Sequence, residues 1–179
     1  MTERQKMEIK IRQEKGQDSA AVFEVHKLAF ARDDEANLVD RLRSSRAFVP
    51  ELSLVAVADN NLAGHILFTK IKIRNNNGDE TESLALAPMA VKPAFQNRGI
   101  GRQLIRYGLD KAKELQYKSV IVLGHAHYYP KFGFLPAHRW NIKSPYNIPQ
   151  EVFMAMELVT GGLKNTDGLV EYPKEFEMI

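Results

Sequence analysis

From Glu8 to Arg12 apolar and polar residues alternate, with Ile9 and Ile11 on one face, which predicts a short strand. The period then lengthens. Asp18 or Ser19 is placed to cap a helix carrying Val22, Phe23, Val25, Ala29 and Phe30, and a second helix is expected over Asp34 to Ser45, with Leu38, Val39 and Leu42 inward. Leu52 to Ala58 is an apolar run closed by a turn at Asn60-Asn61. Ile66, Phe68, Ile71 and Ile73 predict the next strand, with a break near Lys70 where the alternation slips. Asn75 to Gly78 reads as a hairpin turn, and Leu84 to Val91 as the strand after it.

Gly101 to Leu115 carries the clearest helical signal, with Leu104, Ile105, Gly108, Leu109, Ala112 and Leu115 on one face. Val120 to Leu123 and Val152 to Val159 predict two further strands, the second apolar on both faces except for Glu157. That carboxylate is read either as a paired buried group or as an edge residue facing solvent. Beyond Gly161 the chain turns polar, with Leu169, Val170, Tyr172 and Phe176 as anchors onto the body. The pattern is one mixed α/β (α+β) domain over residues 1–179, with a core at about 8–158 and a C-terminal extension over 159–179.

Composition narrows the function classes. The chain has no cysteine, which excludes disulfides, thiolate metal sites and a cysteine nucleophile. Met1 to Arg12 is charged without an apolar centre, and no apolar run reaches the roughly 20 residues that span a bilayer, so a cytoplasmic protein without a membrane partner is expected. The net charge is +3, but acidic and basic residues are interspersed, which argues against nucleic acid as a partner. His26, His65, His125, His127 and His138 fall in no ligand spacing with carboxylates, so no metal is expected.

The informative segment runs from Leu84 to Arg102. A buried strand leads through a short loop into a helix opened by Gly99 and Gly101. The first N–H groups of a helix lack internal partners and sit at the positive end of its dipole. Glycine lets a phosphate approach them, and Arg98 and Arg102 add forked donors. A Walker A loop is excluded because Arg102-Gln103 follows Gly101, and the dinucleotide fingerprint because Leu104 stands where a third glycine belongs. Pro88 cannot donate to a strand ladder, so it marks a bulge or a parting of strands. Met89, Ala90 and Val91 would then offer free backbone groups to an extended, amide-bearing ligand that ends in phosphate.

Gln96-Asn97-Arg98-Gly99-Ile100-Gly101 resembles the Q/R-x-x-G-x-G/A motif of the GNAT (Gcn5-related N-acetyltransferase) superfamily. Tyr129-Pro130-Lys131-Phe132-Gly133-Phe134 is similar to its Y-x-x-x-G-F segment. Ala29-Phe30 with Glu35 and Leu38, Leu123-Gly124-His125, and Phe153 to Leu158 resemble the YhbS-like branch. The likeness spans roughly Ile9 to Leu158. It implies the GNAT fold: a mixed, mostly antiparallel sheet flanked by helices, whose strands four and five splay to admit acetyl-CoA. It further implies direct acetyl transfer to an amine acceptor, with Met89 and Val91 holding pantetheine and Gln96, Asn97, Arg98, Gly99, Ile100, Gly101 and Arg102 around the diphosphate. Tyr129 aligns with the tyrosine that protonates the departing sulfur, with Tyr128 beside it as the substitute donor and as a cofactor contact.

The base is left open. Relatives often place a glutamate where this chain has Ala85, which leaves Glu35, Glu80, His125, His127 or an ordered water. The same departure keeps a non-catalytic acyl-CoA sensor as the alternative reading. A homodimer is common for the fold. The segment Ala137 to Gln150, with Trp140 and Tyr146, is where the acceptor pocket is expected.

Overall fold

The computed structural model describes residues 6–178; the reading of the first residues as lacking a leader lies in part outside them. The described residues form a nine-stranded sheet in the order β1-β2-β3-β4-β5-β8-β6, with β9 paired to both β3 and β7. The strands are β1 (Ile9–Gln13), β2 (Phe48–Ala58), β3 (Asn61–Arg74), β4 (Glu80–Val91), β5 (Ser119–Leu123), β6 (Leu135–Pro136), β7 (Ile142–Lys143), β8 (Phe153–Glu157) and β9 (Gly168–Glu171). Pairing is antiparallel except for β4 with β5 and β7 with β9. Helices α1 (Ser19–Phe30) and α2 (Asp34–Arg43) cover one face, and α3 (Ile100–Glu114) covers the other. No helix among the described residues is long and apolar enough to cross a membrane.

The main core lies between the sheet and α3. Leu104, Ile105, Leu109 and Ala112 pack there on Ile66, Phe68, Leu84 and Val120, as the helical period requires. Leu115, expected on that face, is exposed because the helix ends at Glu114 and the chain turns outward at Gln116, whose φ is 68°. On α1 the inward residues are Val22, Val25 and His26, while Phe30 is exposed. Asp18 stands at the N-cap position of α1 without capping it. Its carboxylate instead binds Arg12 and the Lys15 N–H. Helix α2 stops at Arg43, short of Ser45, and β8 is shorter than expected because Gln150–Val152 forms a 3-10 turn at one end and the chain bends away at Leu158 and Val159 at the other.

The expected break near Lys70 lies elsewhere. Strand β3 runs unbroken to Arg74, and the irregularity faces Leu67, where Ala87 and Pro88 of β4 oppose that one residue. This is a β-bulge at a residue with no N–H to donate. Its consequence is on the other edge of β4. Pairing with β5 is limited to Leu84–Val120 and Ala85–Ile121, after which the two strands part.

The tail returns to the body by adding β9 to the edge of β3 at Lys72 to Arg74. Val170 is buried, and Phe176 joins Leu38, Leu42 and Leu67 on the α2 side. Leu169, expected as an anchor, is exposed, since alternate strand residues face opposite sides. Glu157 is half-buried and accepts the Leu163 N–H at 2.9 Å, which settles its role as a structural acceptor.

Candidate active site

The parting of β4 and β5 opens a cleft of about 680 Å³ against the start of α3. Its wall on one side is β4. Lys92 donates to the Ala63 carbonyl of β3 at 2.8 Å, so by the alternation of a ladder Ala90 also faces β3, while Met89 and Val91 turn their backbone groups toward the split. The Val91 carbonyl accordingly accepts from Gln96 Nε2 at 3.0 Å. The Ala90 side chain is buried on the α1 face beside His65, its register partner.

The floor is the N-terminus of α3. Asn97 and Gly99 take φ of 60° and 81°, which turns the chain sharply into the helix. The first internal bond here is Gln103 N–H to the Gly99 carbonyl at 3.1 Å, so the N–H groups of Ile100, Gly101 and Arg102 have no helical acceptor. Ile100's side chain goes under the helix into the core. Gly101 has the opposite role. A Cβ built there would stand 3.5 Å from Tyr128 Oη and 3.8 Å from Met89 Cε, filling the cleft floor. The space over a run of free amides is therefore kept open by one glycine.

The far wall is the segment after β5. The His125 carbonyl accepts the N–H groups of both Tyr128 and Tyr129, forming a tight turn that leads into the 3-10 turn Tyr129–Phe132. His125, Tyr128, Lys131 and Phe132 line the cleft. Tyr129 is the buried member of the pair, 8% exposed, with its ring edge-on to Tyr128 and to Phe134. Burial, and secondarily Tyr128, pushes its pKa up to about 12. Burial also raises Tyr128, opposed by Arg102.

The cleft carries Arg102, Arg106 and Lys131 and no carboxylate among its lining residues, which suits an anion. Arg98 stands just outside it. Its guanidinium lies over the Phe95 ring at 5.8 Å and reaches Met7 Sδ at 3.8 Å, in a neighbouring groove shared with Lys6 and Arg102. Arg106 and Lys131 were not picked out from sequence. Arg106 shows a signal in hindsight, because it lies one helical turn beyond Arg102 on the same face.

The remaining base candidates are dispersed. Glu35, in the first turn of α2, is 8% exposed and held by Arg32. Burial raises its pKa, but the Arg32 bonds outweigh it and the net shift is down. Glu80 pairs with Lys72 and Arg74 at the far end of β4, and His127 is exposed. Trp140 packs against the core that includes Ile142 of β7, and Tyr146 lies tilted against Tyr172 with ring centroids 5.6 Å apart. Among the described residues no cluster of three His, Asp or Glu is placed to hold a metal.

A split between two parallel strands, facing free amides at a helix start and a cationic lining, is the arrangement expected from the resemblance above. The sequence model of the acetyltransferase (GNAT) family matches residues 20–134. The chain belongs to that family. It is 39% identical over 135 residues to the uncharacterized N-acetyltransferase YjhQ of Escherichia coli, covering 75% of this chain and 74% of that protein. It is 30% identical to the uncharacterized N-acetyltransferase YhbS of E. coli, covering 89% and 93%. The crystal structure of E. coli YhbS in complex with CoA superposes with a TM-score of 0.87 at 28% identity, over 96% of this chain and 93% of that one. A GNAT family acetyltransferase from Brucella melitensis in complex with acetyl-CoA superposes at 0.76 with 31% identity, covering 94% and 98%. The splayed, mostly antiparallel fold expected from the sequence is thus the fold of these acetyltransferases.

Proposed function

We propose that this enzyme transfers the acetyl group of acetyl-CoA directly to a primary amine, with the cleft between β4 and β5 as the donor site. The observation that carries the reading is the coincidence of free α3 amides, a glycine-cleared floor and an acid-free cationic lining in one split. The acetyl-CoA-bound and CoA-bound relatives support the choice of ligand. Amides of Ile100, Gly101 and Arg102 would hold the diphosphate, helped by Arg102 and Arg106. Met89 and Val91 would pair with the pantetheine amides as an added strand does.

Bound acetyl-CoA supplies a thioester carbonyl open to attack and a thiolate as leaving group. The residues must then do three things: hold the carbonyl against a donor, keep a proton ready for the sulfur and drain one from the amine. An N–H from the open edge of β4, at Met89, is the donor this geometry offers. The proton for sulfur comes from Tyr129, whose raised pKa keeps it protonated throughout the neutral range. Tyr128 is the competing donor because it is the member of the pair that lines the cleft, with its hydroxyl beside Gly101. His125, which lines the cleft, and Glu35, in the first turn of α2, are the candidate bases for the amine.

The test is CoA release with acetyl-CoA and a panel of primary amines, with calorimetric titration of acetyl-CoA in parallel. Acceptor-dependent release together with saturable binding is expected. Saturable binding with no transfer to any amine would make the protein an acyl-CoA sensor instead.

A further inference from the structure

The end of β5 carries a packing constraint that the residues lining the cleft do not explain. Gly124 follows directly on Leu123 and prolongs the ladder, its N–H donating to the Val152 carbonyl at 2.9 Å. Along this strand Val120 and Val122 pack on the α3 side and Ile121 packs on the other, so by alternation the next position on the α3 side is Gly124. The donor cleft opens on that side of the sheet. Gly124 stands beyond Ile121, the last residue of β5 that pairs with β4, and so beyond the point where the strands part.

No side chain fits at this position. A Cβ built on Gly124 would lie 2.2 Å from Tyr129 Cε2, 2.8 Å from Cδ2 and 3.2 Å from Cζ. Carbon atoms in contact stay about 3.5–4.0 Å apart, so the Tyr129 ring fills the place where the next side chain of the row would stand. The backbone of Gly124 makes no such demand of its own, because its φ lies outside the left-handed region. Glycine is required here by the ring alone.

Other groups close the ring in. Tyr128 and Phe134 meet it edge-on, with centroids at 5.3 and 5.7 Å, and Phe134 is fully buried. The Tyr129 N–H donates at 3.3 Å to the carbonyl of His125, the residue after Gly124, which ties the turn that carries the ring to the strand end it rests on. Tyr128 has no seat of this kind. Its hydroxyl stands 3.5 Å from the Cβ position of Gly101, beside the amides that open α3, at the end of the cleft assigned above to the diphosphate.

We infer that Gly124 is a positioning residue for acetyl transfer, whose bare Cα fixes the Tyr129 ring and with it the hydroxyl that protonates the departing sulfur. This rests on the acetyltransferase reading above, with Tyr129 as the proton donor. In the step, the amine nitrogen bonds to the thioester carbonyl carbon, the carbon–sulfur bond breaks, and the Tyr129 proton goes to sulfur. The proton lost by the amine restores the tyrosine by way of solvent, and the products are the amide and free CoA. A phenol delivers its proton only from hydrogen-bond reach, about 2.6–3.2 Å. A methyl group on Gly124 drives the ring back by about 1 Å, which takes the hydroxyl out of that reach.

The test is a double-mutant cycle on the full chain, comparing wild type, Gly124→Ala, Tyr129→Phe and the pair. Turnover of acetyl-CoA is measured with tyramine, spermidine and a peptide with a free N-terminus, and acetyl-CoA affinity by calorimetric titration. Gly124→Ala is expected to lower kcat about 100-fold, the cost of misplacing a reacting group by about 1 Å, with affinity unchanged. In the Tyr129→Phe background, where the hydroxyl is already gone, the same substitution should leave kcat within about twofold. Gly124→Ala combined with Phe134→Leu gives the displaced ring room and keeps the measurement open if the single variant folds poorly. Its melting temperature should recover toward wild type while kcat stays low, because the ring has been accommodated away from its seat. Recovery of kcat together with the melting temperature would make Gly124 a packing residue and overturn the inference. A folded Gly124→Ala enzyme with wild-type kcat, or losses that add in the Tyr129→Phe background, would do the same. Tyr129→Phe with wild-type kcat would take the proton role from Tyr129 and the inference with it, leaving the donor site standing. Wild type that binds no acetyl-CoA would instead fail the parent reading.

Discussion

The adjacent hydroxyls of Tyr128 and Tyr129 differ by environment, not by chemistry. Tyr128 lines the cleft with its hydroxyl beside Gly101, whereas the Tyr129 ring is buried edge-on to Phe134. Substitution separates them. If Tyr129 is the donor to sulfur, Tyr129→Phe lowers kcat about 100-fold with acetyl-CoA affinity retained, whereas Tyr128→Phe mainly weakens binding. The reverse pattern in steady-state kinetics would move the role to Tyr128. Gly101 is the other decisive residue. A Cβ there meets only ordinary contacts, so Gly101→Glu should fold and place its side chain over the free amides. Acetyl-CoA affinity is expected to fall at least about tenfold, or ~1.4 kcal/mol, with the melting temperature little changed. Calorimetric titration alongside a thermal melt checks both halves.

At the scale of elements, the site depends on how closely α3 is drawn onto the sheet. Gly108 allows this, because a Cβ there would lie 2.2 Å from Phe68 Cε2, and Phe68 is fully buried and has nowhere to swing. Alanine in a helix gains about 1 kcal/mol over glycine, but overpacking at this distance costs more, about 1–3 kcal/mol. Gly108→Ala should therefore be destabilised in urea unfolding, and the Phe68→Leu, Gly108→Ala double variant should recover part of the loss. The bulge at Ala87-Pro88 acts on the other edge of the site. By letting β4 leave β5 after Ala85, it exposes the Met89 and Val91 backbone without disturbing their pairing with β3.

For the whole molecule the buried histidines set a pH limit. Folding lowers the pKa of His26 from 6.5 to about 4, so the unfolded chain binds more protons between those values. The stabilisation is complete above pH 6.5 and is lost as pH falls toward 4. Its size is about 3 kcal/mol for His26 alone, with His65 acting in the same direction. Urea midpoints should drop across that window, and His26→Gln should flatten the drop. The tail contributes separately. Phe176 closes the α2 side over Leu38, Leu42 and Leu67, so Phe176→Ala is expected to cost about 3 kcal/mol in the same assay.

The local pattern was enough to read most of the elements and to single out the loop that opens α3. Strand and helix periods are local properties, and Gly99, Gly101 and Pro88 act through their own backbones, so their meaning is legible without neighbours. Local pattern was less reliable at boundaries and edges. It put the slip at Lys70 when the bulge lies across the ladder, in β4. It also placed Leu115 and Leu169 inside, because it could not see where the helix stopped or which face of β9 met the body. Tertiary structure alone decided the rest. It placed Tyr128, not Tyr129, in the lining of the cleft. It brought His26, His65, Ser53 and Glu14 together from four separate segments into one buried chain of hydrogen bonds. No spacing along the chain encodes that chain of bonds, because it exists only once β1, β2, β3 and α1 pack and water is expelled from between them.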